Sequence, residues 1–136
     1  HSEVVDLVRR TLSLRRKPFQ APPRRRPVFS TFAKAINRPG EQSHLLLGLP
    51  SCGVRDPLRF ASYIFNAALG GGMTSKLYQK VREQAGLAYS VFSHTQPFEE
   101  CGLLLLYAGT SNAHLNKVLG TFFRELERFY KKGLSV

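Results

Sequence analysis

The sequence has no tryptophan, one methionine and two cysteines, Cys52 and Cys101. Two thiols cannot build the dense disulfide framework of a small secreted scaffold, and both read as reduced, small apolar residues. Histidine is sparse too: His1, His44, His94 and His114, with no two lying three to five residues apart around a Glu. Pairing His44 with Cys52, or His94 with Cys101, gives no recognised zinc-ligand spacing, so each reads as an ordinary strand or loop residue. No Gly-x-Ser-x-Gly elbow is present, and the sequence offers no Cys/His pair for a nucleophile. Long apolar runs are also missing. The longest, near 45–49 and 103–108, fall far short of the ~20 residues that a membrane-spanning helix needs. There is no charged-then-apolar leader, and the chain opens on His1 and not on Met. We therefore expect a piece of a longer chain, with no membrane partner and no complete catalytic centre of its own.

Acidic residues are few, 9 against 20 Lys and Arg, for a formal net charge of +11. The excess is uneven. Residues 1–38 carry a net of +8, and the remaining 98 residues a net of +3. The basicity thus belongs to one segment. Its centre, LRRKPFQAPPRRRP, holds four prolines and six basic residues. Proline at that density excludes helix and central strand and gives an extended linker. Arg15, Arg16, Lys17, Arg24, Arg25 and Arg26 could contact nucleic-acid phosphates. Phe19 is the segment's one aromatic and no nucleic-acid module is recognisable, so a solvated charge run is the better reading and nucleic acid an unlikely partner.

What is present fits one globular domain: 136 residues, 43% hydrophobic, with ten Phe to fill a core. Residues 1–14 read as a helix, 15–27 as the basic Pro-rich linker, and 28–136 as the main core. Within the core, VFSTFAKAIN (28–37) and SHLLLGLP (43–50) read as a hairpin around Asn37-Arg38-Pro39-Gly40. Asp56 as N-cap and Pro57 at the first helical position open a helix with Leu58, Ala61, Ile64, Phe65, Ala68 and Leu69 on its apolar face. Gly70-Gly71-Gly72 ends it. Thr74 or Ser75 caps a second helix, on which Leu77, Tyr78, Val81 and Ala85 share a face and after which Gly86 is the C′ residue. Strands over about 87–95 and 101–109 follow. A last helix from Leu115 repeats Val118, Leu119, Phe122, Phe123, Leu126, Phe129 and Tyr130, with Ser111 or Asn112 as cap. Hairpins interspersed with amphipathic helices predict an α+β two-layer sandwich, a mostly antiparallel sheet with helices on one face.

The triple glycine raises the question of a phosphate cradle. A P-loop needs Gly-Lys followed directly by Ser or Thr, whereas Thr74 and Ser75 here precede Lys76. A dinucleotide loop needs its glycines straight after a strand, and these follow a helix. A helix-to-helix turn is the simpler account. Arg82, in the last helical turn, and Tyr89, just inside the next strand, flank Gly86 and can point to one edge of the domain. Read alone, they are a solvated helix-end cation and a strand aromatic.

Taken together, the helix from Asp56-Pro57, LGGGMTSKLYQKVREQAGLAYSV and CGLLLLYAGT before a long helix resemble a known domain. It is the second, zinc-free domain of the insulinase, pitrilysin and mitochondrial processing peptidase family of inverted zincins. The likeness covers nearly the whole chain and is strongest over 43–130. It implies the processing-peptidase-like metallohydrolase fold. It also implies that zinc is held by an H-x-x-E-H helix in a preceding homologous domain, outside this sequence, with no metal site in this chain. That zinc-bearing domain, on the same chain or a partner subunit, is the implied partner, and an extended peptide lying along its sheet edge the implied substrate.

Arg82 and Tyr89 match the family's Arg and Tyr seven residues apart, which reach the substrate across the cleft. The resemblance assigns Tyr89 to donate to the oxyanion as metal-bound water attacks, and Arg82 to hold a neighbouring carbonyl. Gly70, Gly71 and Gly72 match a substrate-handling loop that is longer in the processing peptidases, and close helix packing also explains them. The expected function is thus a substrate-binding, transition-state-assisting domain of a zinc metalloendopeptidase, inactive alone. A non-catalytic scaffold or recognition subunit of the same family and a basic nucleic-acid module are the alternatives. An H-x-x-E-H helix upstream separates the first two, and steeply salt-dependent binding through the 15–26 arginines would mark the third.

Overall fold

The computed structural model describes residues 1–12 and 27–134, so the Pro-rich basic segment apart from Pro27 lies outside the described residues. Helix α1 (Ser2–Thr11) buries none of its side chains. The remaining elements are β1 (Ser43–Ser51), α2 (Arg59–Gly70), a π-helix (Tyr78–Gln84), β2 (Ala88–Pro97), β3 (Gly102–Thr110), a 3₁₀ turn (Asn112–His114) and α3 (Leu115–Lys132). Among the described residues the sheet has three antiparallel strands in the order β1-β3-β2. Alternation along β1 (Leu45, Leu47, Leu49 inward; His44, Leu46, Gly48 outward) and along β3 from Gly102 to Ala108 gives the sheet one buried face. Leu104, Leu106, Ala108, Ala88 and Val91 meet Leu69, Leu77, Val81, Val118 and Phe122 there, and these ten residues form the core. The α+β arrangement with helices on one sheet face is the one the sequence predicts.

Five local expectations differ from the structure. Residues 28–37 are exposed and join no strand, and β1 pairs with β3 instead. Neither parity of VFSTFAKAIN offers an unbroken apolar face (Lys34 interrupts one, Thr31 and Asn37 the other), so pairing would bury little. Helix α2 starts at Arg59 because Asp56-Pro57 is used in a turn: the Leu58 N–H donates to Asp56 Oδ1 at 2.8 Å. Leu58, Ala61 and Ile64 are exposed, because β2 lies under the C-terminal half of α2, where Leu69 and Gly70 are buried and Phe65 meets Phe129 edge-on at 5.2 Å. The side-chain caps are not made as read. The Ser75 hydroxyl donates back to the Gly72 carbonyl, and Asn112 Oδ1 accepts from Ser43 Oγ, tying the start of β1 to the start of α3. Phe123, Tyr130 and Ala85, assigned to apolar faces, are exposed.

The triple glycine has a clear steric cause at its first member. A Cβ on Gly70 would stand 2.5 Å from Ser93 N and 2.6 Å from Ser93 Oγ, on the backbone of β2. That hydroxyl also donates to Asn66 Oδ1 at 2.8 Å, locking the end of α2 onto the strand. Gly70→Ala is expected to lower stability by about 1–3 kcal/mol through overpacking. Gly72→Ala, whose added Cβ meets nothing within 4 Å, is the control and should be neutral. Thermal unfolding of the two variants in the full-length protein checks the difference.

Candidate functional site

Two backbone irregularities bring Arg82 and Tyr89 together. The first is the π-helix itself. Its i→i+5 hydrogen bonds widen the turn, a rare geometry that is found often at functional sites. It ends where the Gly86 N–H donates to the Arg82 carbonyl at 3.2 Å and the Leu87 N–H to the Val81 carbonyl at 2.8 Å. Gly86 takes φ +58°, the left-handed conformation expected of a C′ glycine, and reverses the chain into β2. The buried Thr110 hydroxyl donates to the Leu87 carbonyl and fixes the entry of the strand.

The second irregularity is a β-bulge. Ala88 faces Thr110 and Ser90 faces Gly109, so Tyr89 is the extra residue between two consecutive partners on β3. A bulge re-aims side chains. Ala88 and Val91 both point into the core while Tyr89 is turned out, 76% exposed. The Arg82 guanidinium carbon then lies 4.8 Å from the Tyr89 ring centroid and 4.9 Å from the Tyr78 ring centroid. Both distances are within cation–π range. The contact of Arg82 Nε with Glu83 Oε1, at 3.9 Å and partly exposed, is long and adds little. The result is a cation held against aromatic rings at one exposed edge, with a phenol hydroxyl beside it. Such an edge can donate hydrogen bonds to carbonyl oxygens of an extended chain.

The structure therefore brings together Arg82 and Tyr89 and adds Tyr78, which the sequence reading counted only among face-sharing helix residues. An aromatic four residues before an arginine on a helix is the signal that could have found it. The glycines are not part of this cluster: Gly70 is buried against Ser93, and Gly71 and Gly72 are exposed. A separate cleft of about 530 Å³ opens between the π-helix and α3, lined by Lys80, Gln84, Lys117, Thr121, Arg124 and Glu125, and it does not include Arg82 or Tyr89.

Among the described residues no three His, Cys, Asp or Glu side chains gather as candidate metal ligands, and His44 Nδ1 is engaged with the Tyr107 hydroxyl at 2.8 Å. Burial, and after it the Asp56 carboxylate, push the Cys52 thiol above its ordinary pKa, with a hydrogen bond to Ser62 opposing. Cys52 is thus a protonated thiol at neutral pH and a poor nucleophile.

The model of the peptidase M16 inactive domain matches residues 1–136. An uncharacterized zinc protease of Streptomyces coelicolor is 45% identical over 100 residues, 74% of this chain and 22% of that protein. One of Bacillus subtilis is 34% identical over 110 residues, 81% of this chain and 27% of that protein. Among solved structures, a peptidase M16 inactive domain from Pseudomonas fluorescens aligns with TM-score 0.68 and 28% identity. The match covers 71% of this chain and 24% of that one. The chain spans about a quarter of the length of these relatives. With the family model matching the whole chain, the chain belongs to the peptidase M16 family, that of the insulinase-type inverted zincins, as its inactive domain.

Proposed function

We propose that this domain supplies one wall of the peptide cleft of a zinc metalloendopeptidase, binding substrate and assisting the transition state from Arg82 and Tyr89. The observation that carries the reading is the bulge at Tyr89, which turns its phenol out of the sheet and against the Arg82 guanidinium. An extended peptide has free carbonyls at regular intervals. Arg82 holds one of them by a charge-assisted hydrogen bond, and Tyr89 donates to the scissile carbonyl oxygen as negative charge builds there. Gly71 and Gly72 present only backbone, so any contact they make with the peptide runs through main-chain N–H and C=O groups. The zinc belongs to the homologous domain that precedes this one, on the same chain or a partner subunit. There it provides Lewis-acid activation, and this chain provides orientation and hydrogen-bond donors.

The reading is tested in the full-length protein with a fluorogenic peptide. Arg82→Met keeps the length of the side chain and removes the charge. A hydrogen bond to a charged group is worth about 1.5–3 kcal/mol, so kcat/KM is expected to fall about 10- to 100-fold with zinc content unchanged. An unaltered kcat/KM would remove Arg82 from substrate binding. Absence of an H-x-x-E-H helix from the full-length chain and from any partner subunit would instead leave a non-catalytic recognition domain. In that case Arg82→Met would weaken peptide binding without any turnover to lose.

A further inference from the structure

An arginine reaching into a cleft must be held, because a long, rotamer-rich side chain loses much entropy when a substrate orders it. Glu83 does not hold Arg82, since their one contact is 3.9 Å long and faces solvent. Tyr89 cannot be the anchor either, standing as it does on a bulge and largely exposed. Tyr78 is differently placed. It opens the π-helix directly after the fully buried Leu77, its own ring is half-buried, and it lies on the same turn-to-turn face as Arg82. The guanidinium carbon sits within 5 Å of both ring centroids at once, 4.9 Å from Tyr78 and 4.8 Å from Tyr89.

We infer that Tyr78 is a positioning residue: its ring holds the Arg82 guanidinium against Tyr89, so that both donors meet the peptide already in place. This rests on the functional reading above. Tyr78 touches no reacting atom. It acts through the face of its ring, whose negative quadrupole attracts the cation, and its hydroxyl is dispensable for that purpose. The arrangement is a form of preorganisation in which the protein orders Arg82 before substrate arrives.

The test replaces the ring at position 78 of the full-length enzyme by Phe and then by tri- and pentafluorophenylalanine. Ring size and fold are kept while the quadrupole is progressively withdrawn. Turnover of a fluorogenic peptide, zinc content and the thermal transition are measured for each, alone and with Arg82→Met. Tyr78→Phe should stay within about twofold of the parent, and the fluorinated series should lose kcat/KM stepwise to about tenfold at an unchanged transition temperature. With Arg82→Met the series should be flat. A flat series in the presence of Arg82, with Arg82→Met and Tyr89→Phe still damaging, overturns the role of Tyr78 and leaves the functional reading standing. So does a decline that persists after Arg82 is replaced. If Arg82→Met and Tyr89→Phe are both silent, the functional reading itself falls, and the positioning role with it.

Discussion

Tyr89→Phe in the full-length protein is expected, on the proposed function, to lower kcat about 10²-fold while KM and zinc content stay near the parent values. The size follows from what the substitution removes. The phenyl ring remains, so the cation–π contact with Arg82 at 4.8 Å and the packing of the bulge are retained. Only the hydroxyl goes. Because that hydroxyl is exposed, its loss leaves no buried partner unsatisfied and costs little stability. On the proposed function it meets a neutral carbonyl in the ground state, where water serves nearly as well, and an oxyanion in the transition state, where deleting one such donor costs roughly 10²–10³ in kcat. An interaction made chiefly in the transition state is lost from kcat and not from KM. Steady-state kinetics on one fluorogenic peptide separates the two constants. Unchanged turnover takes Tyr89 out of the mechanism, whereas a rise in KM alone would make it a binding residue.

Much of the frame around this pair is legible in the residues. The β2–β3 hairpin, the stop at Gly70, the left-handed Gly86 and the long amphipathic α3 each follow from local patterns that tertiary contacts reinforce. The site pair, too, could be proposed, but through the family resemblance of KVREQAGLAYSV, since helix end, glycine turn and strand start alone only put Arg82 and Tyr89 near one edge. The device that joins them could not. A bulge is a mismatch between two strands distant in sequence, and Ala88-Tyr89-Ser90 contains no glycine or proline to mark one. The π-helix is equally silent, because Leu77 and Val81 satisfy an ordinary helical period and the extra residue per turn shows only in the hydrogen bonds. Strand pairing explains the error at 28–37. β-propensity says that a segment can extend, but pairing depends on an edge being offered and on enough apolar surface to cover it. The basic segment at 15–26, the basis of the nucleic-acid alternative, lies outside the described residues.

Phe122→Ala is the substitution expected to cost most in stability, about 3–5 kcal/mol. Phe122 is fully buried and is among the largest side chains in the core, on the face of α3 that rests on the sheet with Val118. Truncation removes its apolar area from the core and leaves a cavity that the strands cannot collapse into without breaking their ladder. Tyr130, on the same helix and read from the sequence as part of the same apolar stripe, is 90% exposed. Tyr130→Ala should therefore fall within about 0.5 kcal/mol of the parent. Amide hydrogen exchange at Leu104 and Leu106, on the central strand, reads this domain's opening even inside a longer protein. Protection there should drop by roughly 10²- to 10⁴-fold for Phe122→Ala and hardly at all for Tyr130→Ala. Equal losses would mean that α3 is not seated on the sheet by its Phe122 face. The consequence reaches the site. α3 shares the core with Leu77 and Val81 of the helical segment that carries Tyr78 and Arg82, so loosening α3 loosens the platform under the guanidinium. On the proposed function Phe122→Ala should thus lose kcat/KM as well as protection, with zinc content of the full-length protein unchanged, whereas Tyr89→Phe should lose kcat with protection intact.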